Sequence, residues 1–337
     1  MFGIVFGVLG MALIESVMSS KKVAIIGGGI SGLSCANQLA KRGILSTVFD
    51  TGKIIAGGRC SSRVINIEGQ DIVMDHSAQF IVAQDPTFLA WCEESERQGY
   101  LQKWEGPIGR IASNEPFQPI SSFPPRYVGS KGMRSVVEAL CKPLPDVRIN
   151  QWINQMEKTS SGKWTIKGNR KSIGDYDAVV IAHNGKCADR LLSTAGSPRI
   201  HSLLKVNFGP SLPSDLSRMR KMQLCSLFVM GVILEQPLCQ TFEGAYLQDD
   251  KGILSWVCNS SAKMKSSIGS YESWTLVSTR EYAANNKVPQ EAIPMDIELK
   301  VKGEMLESFA ANAGLSLSSL KVKFSKIQLW GAYQLYI

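Results

Sequence analysis

The stretch from Val23 to Asp50 constrains this chain more than any other part of it. Val23-Ala24-Ile25-Ile26 is a short apolar run, and Gly27-Gly28-Gly29-Ile30-Ser31-Gly32 follows it without a spacer. An apolar run of this length closed by glycines reads as a strand ended by a tight turn. From Ile30 to Arg42 the residues Leu33, Ala36, Leu39 and Ala40 recur at helical spacing, Gly43 stops the helix, and Leu45 to Phe49 forms a second strand ending on Asp50. Gly27, Gly29 and Gly32 supply G-x-G-x-x-G, with Asp50 standing 23 positions after Gly27, close to the roughly 20 of a dinucleotide-binding unit. The expected roles follow from sterics and charge. Gly27 permits the turn, Gly29 carries no Cβ in the way of a pyrophosphate, and Gly32 lets the helix approach the strand. The helix N-terminus favours an anion, and the Asp50 carboxylate can accept hydrogen bonds from a ribose.

After Asp50 come Gly52, Gly57-Gly58-Arg59 and Arg63, and Arg59 is a candidate phosphate clamp because a guanidinium makes charge-assisted, often bidentate bonds. The glycine motif, Asp50 and Gly57-Gly58-Arg59 together resemble the FAD-binding start of the flavin amine oxidase superfamily. Met74-Asp75-His76-Ser77-Ala78-Gln79-Phe80 is similar to the Asp-His-Gly-Ala-Gln-Tyr pattern of its renalase branch, with Ser77 where the family has glycine. The resemblance implies an α/β, overall α+β, chain: a Rossmann-like FAD-binding domain and a strand-rich substrate domain. Residues 18–85 and 140–200 are expected in the first, 86–139 and 201–337 in the second. It implies FAD contacts at Gly27, Gly29, Ile30, Ser31, Gly32, Asp50, Gly57, Gly58, Arg59 and Gln79, and at the backbone near Ile153.

The 337 residues, 44% hydrophobic, suffice for a large core. Eight cysteines without a C-x-x-C pair and three histidines far apart suggest neither a disulfide framework nor a metal site, and point to reduced thiols in a cytoplasmic or organellar, intracellular protein. The net charge of +8 is spread along the chain. The basic clusters Lys158–Lys171 and Arg218–Lys221 lack interleaved aromatics or a recognisable nucleic-acid module, so a solvated surface is expected; a basic balance also suits anionic small molecules. Residues 1–17 are read as an upstream extension, since Met1–Ile14 carries no Lys or Arg and is too short to span a membrane. An anchor or targeting segment is the alternative.

Further along, strands are expected at Val64–Ile67 and Ile72–Met74, a helix over Pro86–Gln98, and a loop punctuated by Pro116, Pro119, Pro124 and Pro125. A helix from Gly132 to Cys141, a strand at Val147–Asn150, a hairpin strand at Gly162–Lys167 and a buried parallel strand over Asp175–Ala182 come next, with His183 beyond it. The second half reads as strands at Leu224–Leu234, Ile253–Val257 and Trp274–Ser278, a helix over Asp296–Ala313 and a strand at Val322–Phe324. Trp256, Asn259 and Lys263, spaced Trp-x-x-Asn-x-x-x-Lys in this chain, resemble a strand and turn of the family that carry the same three residue types, and Ile327–Tyr333 resembles the strand that precedes its last segment. Trp256 and Trp330 are candidates either for stacking on a flat ring or for the core.

The resemblance implies an FAD-dependent oxidase similar to renalase. Such an enzyme oxidises misreduced dihydro-isomers of NAD(P)H to NAD(P)+, with O2 as acceptor and hydrogen peroxide as product. No side chain identifies itself as catalytic, which suits hydride transfer from an already reduced ring. Oxidation of small amines is the neighbouring alternative, and an NAD-binding dehydrogenase or a catalytically impaired flavin-binding protein is the alternative of another class. Family members continue past the strand resembling Trp330–Tyr333 with a Gly-Asp segment and a last helix. The sequence ends at Tyr336-Ile337, so weak FAD binding and aggregation are the expectation for the chain as written.

Overall fold

The apolar run before the glycines forms the strand Lys22–Ile26, and everything in the first of two compact units is hung from it. The computed structural model describes residues 21–112, 115–202, 224–248, 252–266 and 269–334. The extension 1–17, the cluster Arg218–Lys221 and the chain end at Tyr336-Ile337 lie outside the described residues.

The first unit contains the chain up to Ala56, Pro143–His183 and Cys187–His201. Its main sheet is parallel, in the order Val147–Arg148, Leu45–Phe49, Lys22–Ile26, Ala178–Ile181. Ile26 lies opposite both Phe49 and Ile181, so the strands end together beside the glycine turn. Between the first two strands runs the helix Ile30–Ala40, which buries Leu33 and Ala36; Gly43, at φ +69°, takes the left-handed conformation that ends it. A three-stranded antiparallel sheet, Gln155–Lys158, Trp164–Gly168 and Lys171–Tyr176, joins the unit. Ala24, Ile26 and Phe49 share a core with Met156, Ile166 and Tyr176.

One expectation is corrected here. Asp175–Ala182 is not a single buried strand: Lys171–Tyr176 pairs antiparallel with Trp164–Gly168, and only Ala178–Ile181 joins the parallel sheet. Asp177 sits at the break, its carboxylate accepting from the Lys22 amide at 2.8 Å. The second piece is an edge strand and Val179, Val180 and Ile181 are half-buried. An apolar run cannot report which strand has a neighbour on only one side.

The second unit contains the described residues of Gly57–Lys142, Asn184–Lys186 and the chain from Ser202 on. Its backbone is a seven-stranded sheet in the order Val322–Gln334, Leu224–Leu234, Glu272–Ser278, Leu254–Asn259, Gly244–Gln248, Ile108–Ala112, Gln118–Pro119. All neighbours are antiparallel except Gly244–Gln248 with Ile108–Ala112. The helix Met295–Asn312 buries Val301, Met305 and Phe309 against Trp274, Phe228 and Leu276 of this sheet. The segment punctuated by Pro116, Pro119, Pro124 and Pro125, expected as a loop, contributes the two-residue strand Gln118–Pro119, paired with Ile108–Ala112; Pro119 is tolerated because it lies on the sheet's edge.

Residues Gly57–Asp85, grouped with the dinucleotide half on sequence, pack in the second unit. The cause is the hairpin Ser62–Ile67/Gln70–Asp75, whose Ile72 and Met74 are buried against Ile233. The helix Pro86–Arg97 begins as its sequence suggests, with Pro86 first and the Asp85 carboxylate accepting from the Phe88 amide at 2.9 Å.

Candidate functional site

In the first unit the glycine turn is built from close approaches. The Gly27 amide donates to the Phe49 carbonyl at 2.8 Å, and the Ala182 amide donates to the Ile26 carbonyl at 2.8 Å. Gly27 has φ +112°, and a Cβ there would lie 2.9 Å from the Ala182 backbone. At Gly32 a Cβ would fall 1.9 Å from the Gly27 carbonyl oxygen, so the helix rests directly on the turn. Asp50 is buried at 9% exposure and ties the turn to the second strand. Its Oδ2 accepts from the Gly28 amide at 2.8 Å and its Oδ1 from the Gly52 amide at 2.7 Å. The middle glycine, to which the sequence reading gave no role, is the one that Asp50 holds; a Cβ on Gly28 would meet Asp50 Cβ at 2.9 Å.

Gly29 differs from its neighbours. It caps the helix at φ −76°, ψ −179°, an extended conformation open to any residue, so the backbone does not require glycine there. The helix start has no side-chain cap and no acid in its first turn. Ile30 and Ser31, its first two residues, are exposed. Orphan N–H donors with no side chain to take them, behind a glycine the fold does not demand, fit a phosphate-bearing ligand. Ile153 turns its side chain into this unit's core at 7% exposure.

Gly57, Gly58, Arg59 and Gln79 belong to the second unit. Gly57 at φ +125° and Gly58 at φ +53° lead into the short 3-10 turn Gly58–Cys60, and the exposed Arg59 accepts from the Ala78 amide through its carbonyl at 3.0 Å. Gln79 is buried beside an ion pair that sequence reasoning did not single out. Lys263 Nζ donates to Asp75 Oδ2 at 2.7 Å with both side chains fully buried, and to the Gln79 carbonyl and Oε1, each at 3.2 Å. Asp75 Oδ1 accepts from Ser62 Oγ at 2.5 Å and from the Met133 amide at 2.7 Å. Burial pushes the Lys263 ammonium down, but the Asp75 carboxylate more than offsets this and holds it above its ordinary value. The pair thus fixes Gln79 and the turn before the helix Arg134–Cys141. Lys263 was quoted only as part of a motif; one lysine in a polar turn carries no sign that it is buried.

His76, next to Asp75, stacks on Trp330 with centroids 5.5 Å apart, and Trp330 Nε1 donates to the His76 carbonyl at 2.7 Å. Its Nε2 meets Ser61 Oγ at 2.9 Å while its Nδ1 is buried without a partner among the described residues. Burial, with Arg63 nearby, pushes the imidazole down to about 4, so it is neutral at physiological pH. Trp330 therefore packs on protein, whereas Trp256 lines a cavity.

That cavity, of about 610 Å³, lies wholly within the second unit. Phe80, Tyr246 and Trp256 form its aromatic wall, Ser77 and Gln79 one margin and Arg280 another. Tyr246 meets Trp256 edge-on at 4.6 Å. The volume falls in the roughly 300–1,000 Å³ of small-molecule sites.

Residues 25–94 match the NAD(P)-binding Rossmann-like domain family. The chain carries a Rossmann-like dinucleotide-binding domain. Over 97 residues it is 34% identical to protoporphyrinogen oxidase 2, chloroplastic/mitochondrial, of Arabidopsis thaliana, a stretch amounting to 29% of this chain and 17% of that protein. Among solved structures, a putative protoporphyrinogen oxidase from Exiguobacterium sp. 255-15 superposes with a TM-score of 0.65 at 12% identity, over 95% of this chain and 88% of the other. Putrescine oxidase bound to putrescine gives 0.60 at 12%, over 93% and 88%. Reduced UDP-galactopyranose mutase gives 0.64 at 12%, over 94% and 83%. These likenesses show the fold alone, a mixed α/β architecture. Among the described residues no helix is long and apolar enough to cross a membrane.

Proposed function

We propose that this chain is an FAD-dependent oxidoreductase of the flavin amine oxidase type, and that, like the renalase branch it resembles, it oxidises misreduced dihydro-isomers of NAD(P)H with O2 as acceptor. The observation that carries the reading is the helix start at Gly29–Ile30: uncapped, without an acid in its first turn, beside the buried Asp50. The Ile30 and Ser31 amides would bind the pyrophosphate, and the lone pairs of Asp50 not engaged by Gly28 and Gly52 would accept from the adenosine ribose. Arg59, Gln79 and the backbone near Ile153 are proposed as further FAD contacts, with Gly57 and Gly58 shaping the turn that presents Arg59. When bound, the flavin supplies two-electron chemistry that none of these side chains provides. Lys263 and Asp75 neutralise each other and hold Gln79 in place; no proton transfer is assigned to them.

Purification tests the reading directly. The expected result is a yellow protein with a visible flavin absorbance band, from which denaturation releases FAD, and which turns over dihydronicotinamide isomers faster than amines. A colourless protein that binds NAD would overturn it.

A further inference from the structure

We infer that the second unit's aromatic cavity is a seat for a planar aromatic ligand bearing an anionic group, and that Arg280 is the residue that selects for the charge. This deepens the proposed oxidoreductase reading by naming a substrate class, and rests on it only for the ligand's being a substrate. Three observations converge. Phe80, Tyr246 and Trp256 line about 610 Å³ of open volume, more than a lone side chain's flexing accounts for and ample for a single flat ring system.

The charge around the cavity is one-sided. Arg280, exposed at its margin as the first residue of the helix Arg280–Asn285, makes no ion pair among the described residues, and no carboxylate is among the described lining residues. The carboxylates behind the walls are engaged elsewhere: Asp75 by Lys263, and Glu243 by Trp104 Nε1 at 2.6 Å. Tyr246 lies opposite Arg110 in the sheet, and burial pushes its phenol up while the guanidiniums of Arg126 and Arg110 pull it back. A cationic amine would find a positive field and no counter-ion.

The hydrogen-bonding inventory points the same way. Ser255, Ser278 and Thr279 turn their hydroxyls to main-chain carbonyls, and Gln79 is held by Lys263. Ser77 Oγ and Trp256 Nε1, on lining residues at 6% exposure each, have no partner among the described residues but are sealed within the wall. With the other lining hydroxyls and the amide engaged or sealed, the exposed Arg280 guanidinium and the Tyr246 phenol are the donors left at the cavity, and they favour a ligand that brings acceptors.

Calorimetric titration of the full chain with benzoate, phenyl phosphate and benzylamine tests this, with flavin absorbance and melting temperature recorded on the same samples. Both anions are expected to bind at least about tenfold tighter than benzylamine, Arg280→Gln to lose about tenfold for the anions alone, and Arg280→Lys to restore part of it. Tyr246→Ala is expected to weaken all three. Benzylamine binding as tightly as the anions, unchanged anion affinity in Arg280→Gln, or no aromatic probe binding at all would overturn the inference. The expected pattern in a flavin-free protein would sink the oxidoreductase reading and leave the cavity assignment standing; a flavin-loaded protein without the pattern does the reverse.

Discussion

At the scale of single residues the most consequential groups are charges that left water. Lys263 and Asp75 are fully buried and 188 positions apart. Removing one partner strands the other, so Lys263→Met is expected to cost about 3–5 kcal/mol in chemical denaturation, and adding Asp75→Asn to recover part of it. An unchanged midpoint in Lys263→Met would show the pair to be unimportant. Because Lys263 is held above its ordinary 10.5, this contribution is present below that pH and is lost only in stronger alkali. His76 works in the opposite direction. Its imidazole is pushed from 6.5 to about 4 in the fold, so the unfolded chain binds the proton more readily. The wild type is therefore expected to lose stability relative to His76→Gln as pH falls from 6.5 to about 4, with no such divergence above 6.5. Parallel profiles of the two proteins across that window would show that burial of the neutral ring does not matter.

At the scale of elements, two glycines of one motif are expected to behave differently. Gly32→Ala puts a methyl 1.9 Å from the Gly27 carbonyl and forces the helix Ile30–Ala40 off its strand, so the melting temperature should fall sharply. Gly29→Val meets no backbone objection at φ −76° and is expected to keep the fold while losing flavin, because the added branches occupy the pyrophosphate's space. Retention of normal flavin content by a folded Gly29→Val protein would remove the dinucleotide role from this turn. The motif was readable in the sequence because its causes are local: an apolar run, a positive φ, a periodic helix. The Asp50 to Gly28 bond was not, since spacing alone leaves open which amide a carboxylate meets. Nor was the break at Asp177, because Lys171–Tyr176 and Ala178–Ile181 stand one residue apart in the chain and are separated by which strands lie beside them.

At the scale of the whole molecule, stability rests on long-range packing within each unit. In the second unit, Phe309 of the helix Met295–Asn312 is fully buried and meets the Trp274 ring at 5.0 Å. Phe309→Ala is expected to cost about 3–5 kcal/mol through the cavity it leaves; equilibrium unfolding that places the loss below about 1 kcal/mol would mean that the site collapses to fill it. The sequence by itself determined the strand, glycine turn, helix and second strand over residues 22–49, and the helix start at Pro86, because each follows from residues within a turn or two of one another. Only the tertiary structure decided that Gly57–Asp85 pack with the second unit, that Ile108–Ala112 joins its sheet, and that Lys263 meets Asp75. It alone gathered Phe80, Tyr246, Trp256 and Arg280 around one cavity. Those outcomes depend on which surfaces meet when distant segments bury their apolar faces together, and no local pattern carries that information.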